Sequence, residues 1–344
     1  MSFATALATG NEVSPHLAEQ AVREALERAD LRRAEGVILL LSEHFGRHAQ
    51  SAALPAALAA ARAAGCMQVV GMSAPGLLTE TGWVLDQPAA AVLVLGGDIG
   101  LTPVHGLSGY TLSFCGGPTL PADWLGNPPR LGLVHDGSAV WQQARIQEDA
   151  RCEFGLHQVD IQPVISTGLK CIGTPQTVDA SRGLDLLRAN TLTALDSLRR
   201  ALPADWKERW PLPIHHLAAL PEGDLTRPAI PLLAVNADGS ITLAQSPETG
   251  SRFTWAIRQP LAAESELRGA LAEQKTPDFG LMFSCIGRGP LFYGNDDRDL
   301  AIWRERFPGV PLLGAYGSAQ IAPNTVSGSQ QWQNSLVLAL CSRK

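Results

Sequence analysis

Directly after an apolar run that ends at Phe283, the residues Ser284, Cys285, Ile286, Gly287, Arg288 and Gly289 bring a hydroxyl, a thiol and a guanidinium close together. Glycines on both sides of Arg288 let the backbone approach a ligand, and the planar fork of donors suits a carboxylate. Two readings stand side by side: an anion site, or an arginine that ties its loop to a neighbouring carboxylate. Phe45-Gly46-Arg47 is a looser counterpart early in the chain. A second segment, Gly314 to Pro323, offers Tyr316, Ser318 and Gln320 as neutral hydrogen-bonding groups, and Asn334 adds an amide before the last strand. The plainer alternative is a tight connection in which Gly314 and Gly317 supply unusual dihedrals.

Catalytic and metal signatures are sparse. Cys285 beside Arg288 is a candidate nucleophile, because an adjacent positive charge favours thiolate, whereas a thiol at a buried strand end is inert. His135-Asp136-Gly137-Ser138 gathers triad residue types, but neighbours on a strand point apart, so the stretch reads as a turn. The other histidines, His105 among them, are mostly isolated. The cysteines are scattered without a C-x-x-C pair, so neither a metal site nor a structural disulfide is expected. With no phosphate-loop, dinucleotide, nucleophile-elbow or zinc-protease motif, no cofactor is expected either.

The elements that must position these groups follow from patterning. The chain has 344 residues, 45% of them hydrophobic and 17% charged, with a formal net charge of −6. That composition folds, and it lacks the basic runs that would grip nucleic acid or an anionic membrane. No basic start with an apolar core opens the chain, and no run nears the roughly 18 apolar residues of a membrane span, which predicts a cytoplasmic protein. Ser14 and Pro15 start a helix that runs to about Arg33, and Gly36 to Leu41 is a strand covered on both sides. The alanine-rich stretch 49–64 is a helix ended by Gly65, followed by strands at 69–71 and 90–95.

The last seventy or so residues repeat that order: strand 279–283, glycine-rich loop, helix 296–306, short strand 310–313, long loop, strand 335–340. Ser42 on Ser284, Gly71 on Gly314 and Leu93 on Leu336 keep one register to within a residue. A single recurrence at this distance suggests two related halves about a pseudo-twofold axis. The expected fold is therefore α/β with mixed sheets: two pseudo-symmetric strand-loop-helix-strand-strand halves packed in an αββα-like layering. Between them, 158–166 and 252–258 read as half-buried strands and 183–200 as a helix capped from Asp179 or Ser181. The proline-rich stretch 203–231 marks a boundary, dividing the chain into 1–202 and 203–344.

Ser284 to Gly289, Pro311 to Tyr316, Ile321 to Pro323 and Asn334 to Leu338 together resemble the C-terminal domain of the FIST (F-box and intracellular signal transduction) family. Val70 to Ser73 and Ser166 to Pro175, with Val178 beyond, resemble its N-terminal domain. The resemblance implies a sensory, ligand-binding module of signalling systems for an amino acid or related small polar metabolite. Ligand contacts would come from Ser284, Cys285, Gly287, Arg288, Gly289, Tyr316, Ser318, Gln320 and Asn334, with Arg47 and Ser73 from the first half. This chain departs from the pattern where the usual Gly-Glu-Ile is Ala319-Gln320-Ile321 and the usual His-Asn is Gln333-Asn334, and both changes remove titratable groups. A signalling protein is a further partner in this reading, and nucleic acid and membrane are not. The alternative is a hydrolase or transferase acting through Cys285 or Ser284 in the same cleft. If Arg288 faces a ligand, alanine in its place should abolish ligand-induced stabilisation in a thermal-shift assay and leave the unliganded melt nearly unchanged.

Overall fold

The opening residues form a strand, β1 (Phe3–Thr9), an element that the short Phe-Ala-Thr-Ala-Leu-Ala-Thr run does not announce. Ser14 then accepts a hydrogen bond from the His16 amide, and Pro15 fits the first turn of α1 (Pro15–Ala29), which buries Leu17, Ala21, Val22, Ala25 and Leu26. β2 (Gly36–Ser42) is buried along its whole length. The short α2 (Glu43–Gly46) and a π-helical turn lead to α3 (Leu54–Ala64), which ends at Gly65 in the left-handed conformation. β3 (Val69–Ala74) lies parallel to β2, and β4 (Gly76–Thr79) and β5 (Gly82–Leu85) form a hairpin before β6 (Ala89–Leu95). Seven strands follow: β7 (Gly100–Thr102), β8 (Thr111–Cys115), β9 (Arg130–Val134), β10 (Val140–Gln142), β11 (Arg145–Ile146), β12 (Arg151–His157) and β13 (Val159–Ser166).

This computed structural model describes residues 2–104, 109–209, 211–323 and 328–344; His105 and part of the loop 315–334 lie outside the described residues. Two units emerge from the packing, Met1–Ser166 with Leu267–Lys344, and Thr167–Glu266. The second unit holds β14 (Leu169–Arg182), β15 (Asp185–Ala189), β16 (Leu192–Thr193), α4 (Ala194–Ala201), α5 (Ala204–Lys207), β17 (Leu217–Pro221), β18 (Ile230–Val235), β19 (Ile241–Leu243) and β20 (Arg252–Arg258). Its strand order is β14-β20-β17-β18-β19-β15, and a further β14–β15 pairing closes the ring into a small antiparallel barrel. Phe253, Trp255 and Ile257 face the same apolar core as α4's Leu198. The chain re-enters the first unit within α6 (Pro260–Ala272), then adds β21 (Phe279–Cys285), α7 (Arg298–Arg306), β22 (Leu312–Gly317), β23 (Ala319–Pro323), β24 (Ser329–Trp332) and β25 (Leu336–Arg343).

In the first unit, one sheet runs β1-β6-β2-β3-β10-β11 and another β13-β25-β21-β22-β4-β5. Both contain the same series: an antiparallel pair, a parallel neighbour, then a hairpin at the edge. Ile38, Leu40 and Met72 share an apolar cluster with Phe279, Phe283 and Leu313. The other side of the first sheet carries the alanines of α1 and α3, and that of the second carries Leu300 and Trp303 of α7. Helix, sheet, sheet, helix is the layering expected of the α/β fold. A third sheet, β24-β23-β9-β8-β12-β7, joins strands of both segments.

Several details differ from expectation. Leu39 pairs with Gly71 as Met282 pairs with Gly314, so by register Ser42 corresponds to Cys285 rather than Ser284. Ala90 opposes Leu41 as Leu336 opposes Ser284, so Leu93 is not the counterpart of Leu336. Residues 183–200 are not one helix: positive φ at Gly183, Asn190 and Thr191 bends the chain through β15 and β16, and only Ala194–Ala201 is helical, capped by Thr193. Arg252–Arg258 is buried on both faces beyond its first residue, where alternation predicted one. Residue 202 lies inside the second unit.

Close strand approach makes a test of the third sheet. A Cβ on Gly132 would stand 1.8 Å from the Ser113 carbonyl oxygen, whereas one on Gly82 meets nothing within 4 Å. Gly132→Ala is expected to cost roughly 1–3 kcal/mol or more in urea unfolding, and Gly82→Ala less than about 0.5 kcal/mol.

Candidate functional site

Three parallel pairs, β2 with β3, β8 with β9 and β21 with β22, carry the first unit's candidate groups at their carboxyl ends. Parallel strands favour ligand sites there, because backbone amides and loop side chains converge beyond the last rungs. Hydrogen bonds link the ends. Cys285 Sγ lies 3.7 Å from the Ser318 carbonyl oxygen and 3.7 Å from Asn334 Oδ1. The Ser318 backbone amide and hydroxyl both donate to the Val134 carbonyl, each at 3.0 Å. In the first segment, the Ser138 hydroxyl donates to the Ser73 carbonyl at 2.7 Å, and Ser73 Oγ accepts from the Ala139 amide at 3.0 Å. Gly287 is exposed and without a side chain because a Cβ would come within 2.8 Å of Asn334 Oδ1. Ser318 is exposed and Asn334 half-buried with φ 56°, so these three form the open face of the cluster.

Arg288 sits beneath that face and is 2% exposed. Its Nε donates to Asp299 Oδ2 at 2.8 Å and one terminal nitrogen to Asp299 Oδ1 at 3.1 Å, a bidentate fork. The other terminal nitrogen donates to the Ser166 carbonyl at 2.7 Å, and the Ser166 hydroxyl accepts at 2.8 Å from the nitrogen that also serves Asp299 Oδ1. Both nitrogen ends are thus committed to the protein, which is the loop-tying reading and not the anion-receiving one. Tyr316 is fully buried, and its hydroxyl donates to Asp297 instead of lining a pocket. Gly289 gives the Tyr316 ring room: a Cβ there would meet it at 3.0 Å.

Asp297 caps α7 through the Leu300 amide at 2.8 Å, while Tyr293 donates to Asp299 at 2.8 Å. Burial, with the Asp299 charge beside it, pushes the Asp297 carboxyl up to about 6. Burial likewise raises the Tyr316 and Tyr293 phenols. Asp297, Asp299 and Ser166 were not singled out from sequence; the cap position before a helix was the available signal.

Gln320 has no exposure, and its Oε1 accepts from the Ser335 hydroxyl at 2.9 Å and amide at 3.4 Å. Those two donors fix which end of the amide is which. Among the described residues its Nε2 has no partner, and neither does Nε1 of Trp332, the residue directly across the strand pair. Two unused donors on adjacent, same-face positions call for an acceptor, since a buried unpaired donor costs about 1–3 kcal/mol.

Ser284 is buried, and among the described residues its hydroxyl reaches only the Cys285 carbonyl at 3.5 Å. Both contacts of the Cys285 sulfur given above are to oxygen acceptors, with the thiol donating. Arg47 is exposed and pairs with Glu43 at 2.8 Å, apart from the Arg288 cluster in its contacts. His135 begins the expected turn after β9 with its Nδ1 buried and without a partner among the described residues; burial lowers its pKa, opposed by the Glu43 charge.

A family model described as the FIST C domain matches residues 194–323. An uncharacterised protein of Mycobacterium bovis is 27% identical over 176 residues, 47% of this chain and 45% of the relative. Another from Mycobacterium tuberculosis is 28% identical over 184 residues, 49% of this chain and 47% of the relative. F-box only protein 22 of Homo sapiens is 30% identical over 98 residues, 26% of this chain and 24% of its own length. The chain spans about half the length of the mycobacterial relatives it matches.

The buried ion pair reverses the first expectation for Arg288. Arg288→Ala should lower unfolding stability by about 3–5 kcal/mol without any ligand, because Asp299 is left charged and unpaired. The acid pair gives a pH test. With its folded pKa above the usual carboxylate value of 3.8, Asp297 contributes stability that is full below about pH 4 and lost as pH rises through about 6. The stability deficit of Asp297→Asn relative to the unaltered protein should therefore shrink between pH 4 and 6, read from urea midpoints.

Proposed function

We propose that the chain, which the FIST C domain model matches over residues 194–323, is a cytoplasmic sensory protein that binds an amino acid or related small polar metabolite. FIST domains are associated with signal transduction and small-ligand sensing. The ligand is taken at the strand ends, where Gly287, Ser318 and Asn334 form the open face and Cys285 and Gln320 lie behind it. Arg288 and Tyr316 act from beneath by holding the loop and α7 in place. The observation that carries the reading is the Gln320 amide donor, pinned in orientation by Ser335 and facing the Trp332 indole, neither with a partner among the described residues. A site with donors in excess selects a molecule bearing carbonyl or carboxylate oxygens.

Output passes to a signalling partner, and the domain division at 202 belongs to the same family-level proposal, as does the origin of the two sheets by duplication. No helix among the described residues is long and apolar enough to cross a membrane. The hydrolase or transferase alternative finds less support: among the described residues no histidine or carboxylate hydrogen-bonds to the Ser284 hydroxyl.

A thermal-shift screen with the common amino acids and small carboxylates tests this, since a ligand at about 100 times its dissociation constant stabilises by roughly 2.7 kcal/mol. Asn334→Gly removes the amide while retaining the left-handed backbone, so it should abolish the shift with little change in the unliganded melt. If every amino acid and carboxylate that gives a shift gives it undiminished in that variant, the site is sunk. Consumption of the ligand over time that is lost in Cys285→Ala would favour the enzyme.

A further inference from the structure

The barrel of the second unit has a groove of about 700 Å³ at one end of its strands, inside the size range of small-molecule pockets. Its floor is apolar: Val178, Pro221, Ile230 and Phe253. Pro221 and Phe253 are register partners on β17 and β20, so the floor is built on the ladder itself and not on loop side chains. The rim comes from the β17–β18 and β19–β20 connections, whose backbone turns through positive φ at Glu222, Gly223 and Gly250. Barrel mouths are recurrent ligand positions because a closed ladder leaves its strand ends as the open, rigidly framed surface.

Charge on that rim is unevenly spent. Arg227 pairs with Glu222 at 3.4 Å. Arg252 and Glu248 also line the groove, are both exposed, and among the described residues neither makes an ion pair or a side-chain hydrogen bond. A free guanidinium fork and a free carboxylate over an apolar floor define what completes them: an anionic group for one, a cationic group for the other, and a hydrocarbon body between.

We propose that the barrel mouth is a second binding site, distinct from the strand-end cluster, for a small zwitterion with an apolar body. Arg252 takes the carboxylate, Glu248 the ammonium, and Val178, Ile230 and Phe253 the hydrocarbon. The two charges act as a joint filter. A plain carboxylate satisfies Arg252 but meets Glu248 as a like charge, and a plain amine does the reverse. None of the strand-end residues lines the barrel mouth, so the two sites stand or fall separately.

The test is isothermal titration of the full chain with three probes of one ring: phenylalanine, phenylacetate and phenethylamine. Phenylalanine should bind tightest, weakened at least tenfold by Arg252→Gln and by Glu248→Gln, and unchanged by Asn334→Gly. Phenylacetate should be weakened by Arg252→Gln and unaffected or strengthened by Glu248→Gln. Both substituted residues are exposed, so the variants should unfold at the same urea midpoint as the parent, which separates lost binding from lost structure. The proposal is overturned if none of the three probes binds, if phenylalanine binds equally well to both charge variants, or if its binding is lost in Asn334→Gly while persisting in Arg252→Gln. That last result would assign the ligand to the strand-end cluster.

Discussion

The first unit depends on one guanidinium placed where water cannot reach it. Arg288 leaves a 3-10 turn at the end of β21 and is gripped by Asp299 from the start of α7 and by Ser166 from the end of β13. A charge this deep is tolerable only if its donors and the opposing acid are both satisfied, so the positions of the turn, the helix and the strand are set jointly. Tyr293 and Asp297 extend the same constraint, and through the Asp297–Tyr316 bond it reaches β22. The loop that carries Gly287 and Cys285 is thus held rigid from below, and the surface above it can remain polar and open.

Much of this architecture was legible in the residues. The apolar run 36–41, the alanine helix closed by Gly65 and the Ser14-Pro15 start each follow from local chemistry that tertiary packing left intact. The layered arrangement followed from the recurrence of that order at 279–340. What sequence could not supply was partner identity. Arg288 between glycines looks the same whether its carboxylate belongs to a ligand or to Asp299 eleven residues on, because spacing does not say which way a loop folds back. Helical periodicity at Leu184, Leu187, Thr191, Leu195 and Leu198 was real, but left-handed residues at 183, 190 and 191 cut the stretch into strands first. The free donors of Gln320 and Trp332 are visible only once β23 and β24 are seen side by side.

The two units solve the burial of polar groups in different ways. In the first, polarity is drawn inward and paired, as at Arg288 and again at the buried Arg130, which holds Glu153 and three carbonyls. In the second, the interior around Trp255 is apolar apart from one short chain, in which the Trp255 indole donates to Ser197 and the Ser197 hydroxyl to Gln176, and the unspent charges stay at the mouth. Groups that are fully paired stabilise a shape, whereas groups left over at an opening are available for recognition.

The edge hairpin β4–β5 comes from the early segment but completes the sheet of the late one by pairing with β22, and β25 lies between β13 and β21. Chain connectivity and spatial neighbourhood are therefore interleaved. A ribosome that has made the first half has produced a hairpin with nowhere to dock and a β13 without its neighbour, while every strand of the closed barrel has been made before β21. Closure of that sheet must wait for the last strand to be synthesised, whereas the sheet β1-β6-β2-β3-β10-β11 and the intervening barrel have all their strands beforehand and are free to form first.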